Sequence, residues 1–298
     1  MNKKKIIIIS AILFFIILIY IAIFIFNCNS LTLIQLSTTN NDRMMGYIII
    51  TEEQNVIVID GGNYEDGTKL ENYIKDYGGE VDMWFLTHYH RDHTGAIRYI
   101  LDNTDVKINK LYYDLNSKEE VEKYEEIRLT DYNSLIECLE RNKTRYNKKE
   151  IKLGDEIKYD NLNIKVLGTK NSDIVENLGN NSSIVLKFTT KLDTKILFLG
   201  DTGIQSEEKI LSKYKEEVQN VEYIQMAHHG QGGVSEKFYN IANPDNCMWP
   251  TPDWLWNNDS GNGYNSGPWK TIETRSWMDK LNVKNYVAKD KDILLKIL

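Results

Sequence analysis

The chain has 298 residues, with 36 Lys+Arg against 43 Asp+Glu, so its formal net charge is −7; 42% of its residues are hydrophobic. This composition excludes a wholly disordered chain, a collagen-like repeat and a disulfide scaffold. Three cysteines (Cys28, Cys138 and Cys247) without a CxxC pair give neither a zinc ribbon nor a thiol-redox motif. The length predicts one large domain and a small additional element.

The first thirty residues have the pattern of a membrane anchor. Lys3, Lys4 and Lys5 precede an uncharged run over 6–26, which as a helix would be about 31 Å long and would cross a bilayer. A cleaved signal peptide and a lipoprotein cysteine at Cys28 are the alternatives, but the run is too long for the first and lacks small residues before the second. The lysines predict a cytoplasmic N-terminus and a single-pass cell-membrane protein with an extracytoplasmic domain.

The predicted domain organisation is therefore a Lys tail and transmembrane helix over 1–30 and a folded domain over 31–298. Without the three lysines of the tail the domain carries a net charge of −10. Such a charge does not support binding of nucleic acid unless a local cationic centre compensates for it, and a metal would supply that centre.

Along the domain, short Ile- and Val-rich runs alternate with helical patterns, which predicts a two-layered sheet flanked by helices, an α/β (α+β) fold. The predicted strands are 47–51, 56–59, 83–87, 164–167, 183–188, 195–199, 221–227, 285–287 and 293–297. The predicted helices are 70–77, a helix starting at 96, a charged helical region over 117–149, and helices at 205–217 and 271–281.

Residues 244–270 are rich in Trp and Pro and predict a long surface loop. All four prolines and five of the six tryptophans lie between 244 and 277. The aromatic rings of this segment could form a wall for a sugar or a cage for a quaternary ammonium group. The favoured interpretation is that they cover the sheet. The residues concerned are Trp249, Trp254, Trp256, Trp269 and Tyr264.

All five histidines fall in two short segments, each directly after a predicted strand. His88, His90 and His93 lie in the first segment, and His228 and His229 lie in the second. Asp92 stands among the first three, and Asp201 follows a third strand of the same kind. Side chains that follow strands can converge at the end of a sheet, so this concentration predicts a metal site.

The spacing predicts two ions. His88 and His90, two residues apart, can bind one ion from one side, whereas Asp92 and His93 lie where the chain turns into a helix and face a second ion. Asp201 could bridge both. Imidazole and carboxylate ligands suit zinc, and also iron or manganese. Two such ions about 3.5–4 Å apart generate hydroxide near neutral pH and stabilise a developing oxyanion.

The string His88-x-His90-x-Asp92-His93 resembles the signature of the metallo-β-lactamase superfamily. Asp60, after the strand at 56–59, resembles the family's structural aspartate, and Leu199-Gly200-Asp201 resembles its bridging-aspartate motif. The resemblance implies an αββα sandwich with a binuclear hydrolytic site at one edge of the two sheets.

One element departs from that family pattern, because no histidine lies between His93 and His228. The string over 179–186, together with Gly200-Asp201 and His228-His229-Gly230, instead resembles the hydrolase domain of ComEC-type competence proteins and phosphorylcholine esterases. The first ion would then be held by His88, His90 and Asp201 only. This argues against a β-lactamase, a lactonase or a glyoxalase-type thioesterase, and it fits phosphoester chemistry.

The remaining site candidates surround these ligands. One of His228 and His229 is expected to bind metal, with His229 preferred, because neighbours on a strand point to opposite faces. The other could donate a hydrogen bond to a phosphate oxygen or the leaving group. Asp60 is expected to orient a ligand histidine, and Asn180 and Asn181 are candidate substrate contacts.

The sequence therefore predicts a membrane-anchored, extracytoplasmic metallo-hydrolase with two divalent ions, zinc being the expected metal. A metal-bound hydroxide would attack a phosphoester, either nucleic acid or a cell-envelope phosphodiester, with Asp92, His228 and His229 as catalytic candidates. The alternatives are a non-catalytic surface module that binds a ligand on the same fold, and a di-iron redox protein.

Overall fold

The computed structural model describes residues 9, 12–20 and 30–298. The strands in that part of the chain are β1 Leu31–Gln35, β2 Gly46–Ile50, β3 Val56–Asp60, β4 Glu80–Val81, β5 Met83–Phe85, β6 Lys107–Tyr112, β7 Tyr146–Lys149, β8 Glu156–Tyr159, β9 Leu162–Gly168, β10 Val185–Thr189, β11 Lys195–Phe198, β12 Tyr223–Gln225, β13 Asn246–Trp249, β14 Lys284–Val287 and β15 Ile293–Ile297.

Helices lie between these strands, as a layered α/β fold requires. From residue 30 onward the α-helices are α1 Gly67–Asp76, α2 Arg91–Asn103, α3 Lys118–Tyr124, α4 Leu129–Arg141, α5 Leu178–Asn181, α6 Ile204–Val218, α7 Glu236–Ala242, α8 Asp253–Trp256 and α9 Thr271–Leu281. Short 3-10 turns cover Tyr64–Asp66, Glu126–Arg128 and Ala227–Gly230.

The strands form two sheets. The first has the order β15-β1-β2-β3-β5-β6-β4, with β7 also paired to β6, and the second has the order β14-β13-β12-β11-β10-β9-β8. In the first sheet β3 runs parallel to β5, and in the second β11 runs parallel to β12. Both sheets are therefore mixed.

Three apolar cores separate four layers. One core packs the first sheet against α1, α2 and α4, a second lies between the sheets, and a third packs the second sheet against α6, α7 and α9. The alternation along single strands produces this arrangement: Val58 of β3 faces the helices, while Ile57 and Ile59 face the other sheet. The predicted αββα sandwich is confirmed.

Several local predictions are corrected. α2 begins at Arg91 rather than at 96, so Asp92 and His93 lie in its first turn; Gly95, a weak helix former, lies inside the helix. The region 117–149 contains two helices and strand β7 rather than one helical segment. Strands β1, β4, β6 and β8 were not predicted.

The region 244–270 is not a loop throughout, because it contains β13 and α8. Trp249 is fully buried in the third core, and its ring packs edge-on against Trp256 at 5.1 Å between centroids. Trp254 and Trp269 pack together at 4.8 Å, and Trp254 Nε1 donates to the carbonyl of Asn41. The Trp rings pack on the fold, as the favoured interpretation of this segment expects, whereas Tyr264 is 65% exposed.

The predicted transmembrane helix and single-pass membrane location are wrong on this structure. Within residues 9, 12–20 and 30–298, no helix has both the length and the apolar character needed to cross a bilayer. The rest of the predicted anchor, over 1–8, 10–11 and 21–29, lies outside the described residues.

Asp292 lies between β14 and β15 and joins this connection to the segment after β1 and to α1. Its carboxylate accepts hydrogen bonds from the backbone and hydroxyl of Ser37, from Lys69 Nζ and from the Tyr73 hydroxyl, at 2.7–3.1 Å. Burial alone would raise the pKa of Asp292, but the Ser37, Lys69 and Tyr73 donors lower it below its ordinary value.

We predict that Asp292→Asn lowers the free energy of unfolding at pH 7 by about 1–3 kcal/mol, because it weakens charged hydrogen bonds. The folded-state pKa of Asp292 is depressed, so its stabilisation is complete above the ordinary aspartate pKa and is lost as pH falls through the folded value. Urea unfolding should therefore show a difference between variant and wild type that shrinks on acidification. Asp290→Asn, an exposed neighbour, is the control, and an equal effect of both variants would contradict the prediction.

Candidate metal centre

Four strand ends meet at one edge of the sandwich and carry the predicted ligands there. Asp60 ends β3, His88 and His90 follow β5, Asp201 follows β11, and His228 and His229 follow β12. Because β3 is parallel to β5 and β11 to β12, their carboxyl ends lie at a common edge. The backbone N–H of Ile184 donates to the carbonyl of Thr87 at 2.9 Å, which joins the two sheets at this place.

Asp60 is a buried anchor for the first histidine segment. Its carboxylate accepts from the backbone and hydroxyl of Thr87, each at 2.8 Å, and lies 2.7 Å from His93 Nδ1. A hydrogen bond at Nδ1 fixes the ring and leaves Nε2 as a lone-pair donor, which is how carboxylates orient metal-bound histidines. The geometry therefore matches the orienting role expected for Asp60.

The first group able to hold an ion consists of His88, His90 and Asp201, all buried. His88 Nε2 lies 4.0 Å from Asp201 Oδ2. The Nδ1 atom of His88 lies 3.1 Å from the Thr87 hydroxyl and 3.4 Å from that of Ser183, so both hydroxyls lie on the side of the ring away from Asp201. Ser183 Oγ also accepts from the backbone N–H of Asp201 at 3.0 Å.

The second group consists of Asp92, His93 and His229. His229 Nε2 lies 3.3 Å from Asp92 Oδ2, and its Nδ1 lies 3.0 Å from the carbonyl of Pro250. A carbonyl only accepts, so Nδ1 carries the proton and Nε2 is free to bind a cation. Asp201 lies between the two groups, with Oδ1 3.3 Å from His93 Nε2 and Oδ2 3.6 Å from His229 Nε2.

Five buried ligand atoms in these two groups have no hydrogen-bond partner: the Nε2 atoms of His88, His90, His93 and His229, and Asp201 Oδ1. Buried polar atoms are normally paired, because an unpaired one costs about 1–3 kcal/mol. Here they converge, and nitrogen and carboxylate donors of this kind bind zinc, iron and manganese. The residues therefore fit divalent metal ions.

The protonation pattern also indicates a place that attracts cations. Burial alone would raise the pKa of Asp201, but His93, His229 and His228 hold it well below its usual range. Burial alone would lower the pKa of His93, but Asp201 and Asp60 raise it well above its usual value. Two buried carboxylates thus compete for positive charge placed between them.

His228 and Asn180 border the groups without belonging to either of them. The His228 side chain is 27% exposed, against 0% for His229, and its Nε2 lies 3.4 Å from the Asn180 amide and 3.8 Å from Asp201 Oδ2. Burial lowers the pKa of His228 to about 4, so the ring is neutral at pH 7. Arg43 contributes to that lowering and so brings a positive charge near the site.

Asn181 is turned away from the ligands. Its amide donates to the carbonyl of Glu176 and to the Gln205 side chain, and its Oδ1 accepts from the backbone of Gly203 and Ser206. Asn181 therefore fixes the connection that follows Asp201. Its predicted role as a substrate contact is not supported by this placement, whereas Asn180 stays beside His228.

His228 and His229 do not lie on a strand, so the reason given for separating them is wrong. β12 ends at Gln225, and both histidines have left-handed backbone angles, with φ of 50° and 54°. The next residue, Gly230 (φ 77°), packs on the buried Trp249 ring, where a Cβ would lie 2.4 Å from the ring. This turn, rather than strand alternation, directs His229 inward and His228 toward solvent.

Three residues at the site were missed from the sequence. Gln225 accepts from the backbone of Leu199 and Gly200 and donates to two carbonyls, so it fixes the turn that carries Asp201. Glu125 contacts His90, and Arg43 lies near His228. Glu125 and Arg43 lie outside the recognisable motif, so only the fold brings them to the site.

Comparison with known proteins agrees with this geometry. A model of the metallo-beta-lactamase superfamily matches residues 46–281. Comparison with curated proteins found no significant match. Among solved structures, the fold resembles the metallo-beta-lactamase fold protein YhfI from Bacillus subtilis, with a TM-score of 0.57 and 12% identity over 90% of this chain and 100% of that one.

Two further structures share the fold at similar distance. Unliganded yeast PDE1 has a TM-score of 0.56 and 10% identity, covering 90% of this chain and 100% of that one. Tm1679, a metal-dependent hydrolase of the beta-lactamase superfamily, has a TM-score of 0.51 and 11% identity, covering 90% and 99%. At identities of 10–12%, these similarities show a shared fold and nothing more.

The family match covers most of the chain and includes both groups of candidate ligands. The chain therefore belongs to the metallo-β-lactamase superfamily, as a metal-dependent hydrolase of that fold whose His and Asp groups could hold divalent ions.

Proposed function

We propose that this protein is a binuclear metallo-phosphoesterase that hydrolyses a phosphodiester or a phosphomonoester, with zinc in both groups. The observation that carries the proposal is the convergence of five unpartnered ligand atoms around Asp201, beside a neutral and partly exposed His228. The ligands would be His88, His90 and Asp201 for one ion and Asp92, His93, His229 and Asp201 for the other.

Each part of the site has a separate task. When bound, two divalent ions supply an activated water and positive charge next to the phosphoryl oxygens. Asp60 holds His93 in place, and Pro250 and Thr251 hold His229 through its ring and its carbonyl. Burial of the ligands keeps bulk water away from their unpaired atoms.

His228 and Asn180 support a phosphoester rather than an uncharged substrate. Both offer neutral nitrogen groups at the border of the site, where they can donate to phosphoryl oxygens or to a leaving group. Arg43 adds a positive charge near His228. In a chain with a net charge of −7, this local positive charge favours an anionic substrate at the centre.

The first group supports the choice of substrate class, because its residues His88, His90 and Asp201 give an ion only three ligands. An open coordination position can accept an oxygen of the substrate. The resemblance of the string over 179–186 to ComEC-type hydrolases and phosphorylcholine esterases supports a phosphodiester. We propose a small phosphodiester rather than long nucleic acid, because the acidic surface repels a polyanion.

We predict that Asp201→Asn removes metal and activity together. The neutral amide cannot serve both groups, so metal content should fall below the two ions per chain of the wild type. Hydrolysis of bis(p-nitrophenyl) phosphate should fall at least about 100-fold, since loss of supporting groups alone costs about 10–100-fold. Elemental mass spectrometry and a chromogenic assay measure the two effects.

Asp193→Asn is the matched control, because Asp193 is exposed and its backbone has a left-handed conformation that Asn adopts. It should leave metal content and hydrolysis unchanged. If Asp201→Asn hydrolysed the substrate as fast as the wild type, the proposed role of Asp201 in the reaction would be wrong. If the metal-loaded wild type did not hydrolyse any phosphoester, a non-catalytic binding module would be favoured.

We predict that His228→Asn and His229→Asn have different effects, although the residues are adjacent. Asn tolerates the left-handed backbone of both positions, so each variant should keep the turn. His228→Asn should keep both ions and lower kcat about 10²–10⁴-fold, as expected for loss of a proton-transfer group. His229→Asn should lose one ion. If His228→Asn lost an ion and His229→Asn kept both, His228 would be the ligand and His229 the proton-transfer group.

A further inference from the structure

Glu125 places a carboxylate against the first group of candidate ligands. It follows α3, far from the histidine segments in sequence, and its side chain is only 12% exposed. Glu125 Oε1 lies 3.3 Å from His90 Nε2. A buried carboxylate at this distance from a ligand atom needs a physical reason, because burying charge is costly unless it is compensated.

The other oxygen of Glu125 is held by two donors. Oε2 accepts from the backbone N–H of Gly179 at 2.8 Å, and it also accepts from the hydroxyl of Tyr89. These two bonds fix the plane of the carboxylate and leave Oε1 directed to His90. The carboxylate is therefore preorganised with one oxygen available.

The contact between Oε1 and His90 Nε2 does not have the geometry of a hydrogen bond. His90 Nε2 has no hydrogen-bond partner although Oε1 lies 3.3 Å away, so the ring N–H direction does not match that oxygen. A cation bound to both atoms would account for so short a contact without a hydrogen-bond geometry. Two ligands about 2.0–2.2 Å from one tetrahedral zinc lie roughly 3.3–3.6 Å apart, which is the separation found here.

Gly179 leaves room at this point. A Cβ at Gly179 would lie 2.8 Å from His90 Nε2 and 3.0 Å from Glu125 Oε2. Any larger residue would therefore fill the space beside both ligand atoms. In the sequence, the region in which the family pattern has a further histidine contains Gly179 instead, and Glu125, which follows α3, contacts the same His90 ring.

We propose that Glu125 is a fourth protein ligand of the ion held by His88, His90 and Asp201. This inference rests on the metal centre proposed above and extends it with a residue outside the family motif. The first ion then has four protein ligands, of which Glu125 and Asp201 are anionic, and an oxygen of the substrate would enter as a fifth ligand, which catalytic zinc accepts. The carboxylate of Glu125 takes the place that the sequence leaves without a histidine.

The test is a metal titration of the full chain as wild type, Glu125→Gln and Glu126→Gln. Gln keeps an acceptor oxygen for Gly179 and Tyr89 but replaces the ligand oxygen by an amide, so a merely positioning role should survive the change. Apo protein is titrated with Zn²⁺ against a chromogenic chelator, and with Co²⁺ while the visible spectrum is recorded. Glu126 is exposed and serves as the control.

We expect wild type and Glu126→Gln to bind two ions with equal affinities. Glu125→Gln should bind one of the two at least about 10–100-fold more weakly, and the visible Co²⁺ spectrum of that ion should change. The apo proteins should have the same free energy of unfolding in urea, which shows that weaker metal binding does not come from misfolding. If Glu125→Gln does not fold, Tyr89→Phe replaces it and should weaken the same ion to a smaller degree.

Two results would overturn the inference, and they differ in meaning. If wild type binds two ions and Glu125→Gln binds both with unchanged affinity and spectrum, Glu125 is not a ligand and the metal centre stands. If wild type binds no ion, the proposed centre fails and the role of Glu125 fails with it.

Discussion

Three carboxylates, Asp60, Asp92 and Asp201, lie buried at one edge of the sandwich, and the arrangement of the site depends on how their charge is compensated. No Lys or Arg of residues 30–298 forms an ion pair with any of them, and the groups that contact them are mainly histidine rings. Burying three anions together is unfavourable unless cations are close. Divalent ions between the rings would satisfy this constraint, and the unpaired ring nitrogens mark where they would bind.

The fold meets this constraint through the ends of its strands. Parallel pairs in each sheet bring Asp60 beside Thr87 and bring Asp201 beside the turn of His228 and His229. Neighbouring groups then fix the rings from behind: Asp60 contacts His93, Pro250 contacts His229, and Ser183 lies beside His88. The ligand atoms are thus oriented by protein contacts, which reduces the rearrangement needed on binding a metal.

Much of this site could be predicted from the sequence because its residues are local to strand ends. The clustering of all five histidines, the motif at 88–93 and Asp201 identified the candidate ligands, and the αββα sandwich was confirmed. Strand alternation failed for His228 and His229, because a left-handed turn places them. Glu125 could not be found in this way, since it lies in a run of charged helical residues that is typical of a solvated face. Asn181 was predicted to contact substrate, but its side chain forms hydrogen bonds with backbone groups instead.

The N-terminal prediction failed for a different reason. It used only the length of an apolar run, 6–26, and no helix of the described residues is long and apolar enough to cross a bilayer. The Trp-rich segment shows how composition hides packing, because Trp249 belongs to the third core and supports Gly230 beside the candidate ligands. Aromatic content alone therefore did not distinguish a binding surface from a structural one.

Anomalous X-ray diffraction at the zinc edge, from crystals grown with Zn²⁺, would show whether two ions share Asp201. We expect two strong peaks, one bounded by His88, His90 and Asp201 and the other by Asp92, His93, His229 and Asp201. Two-metal sites of this kind place their ions about 3.5–4 Å apart. No peak between these side chains, with zinc found only on the surface, would contradict the account.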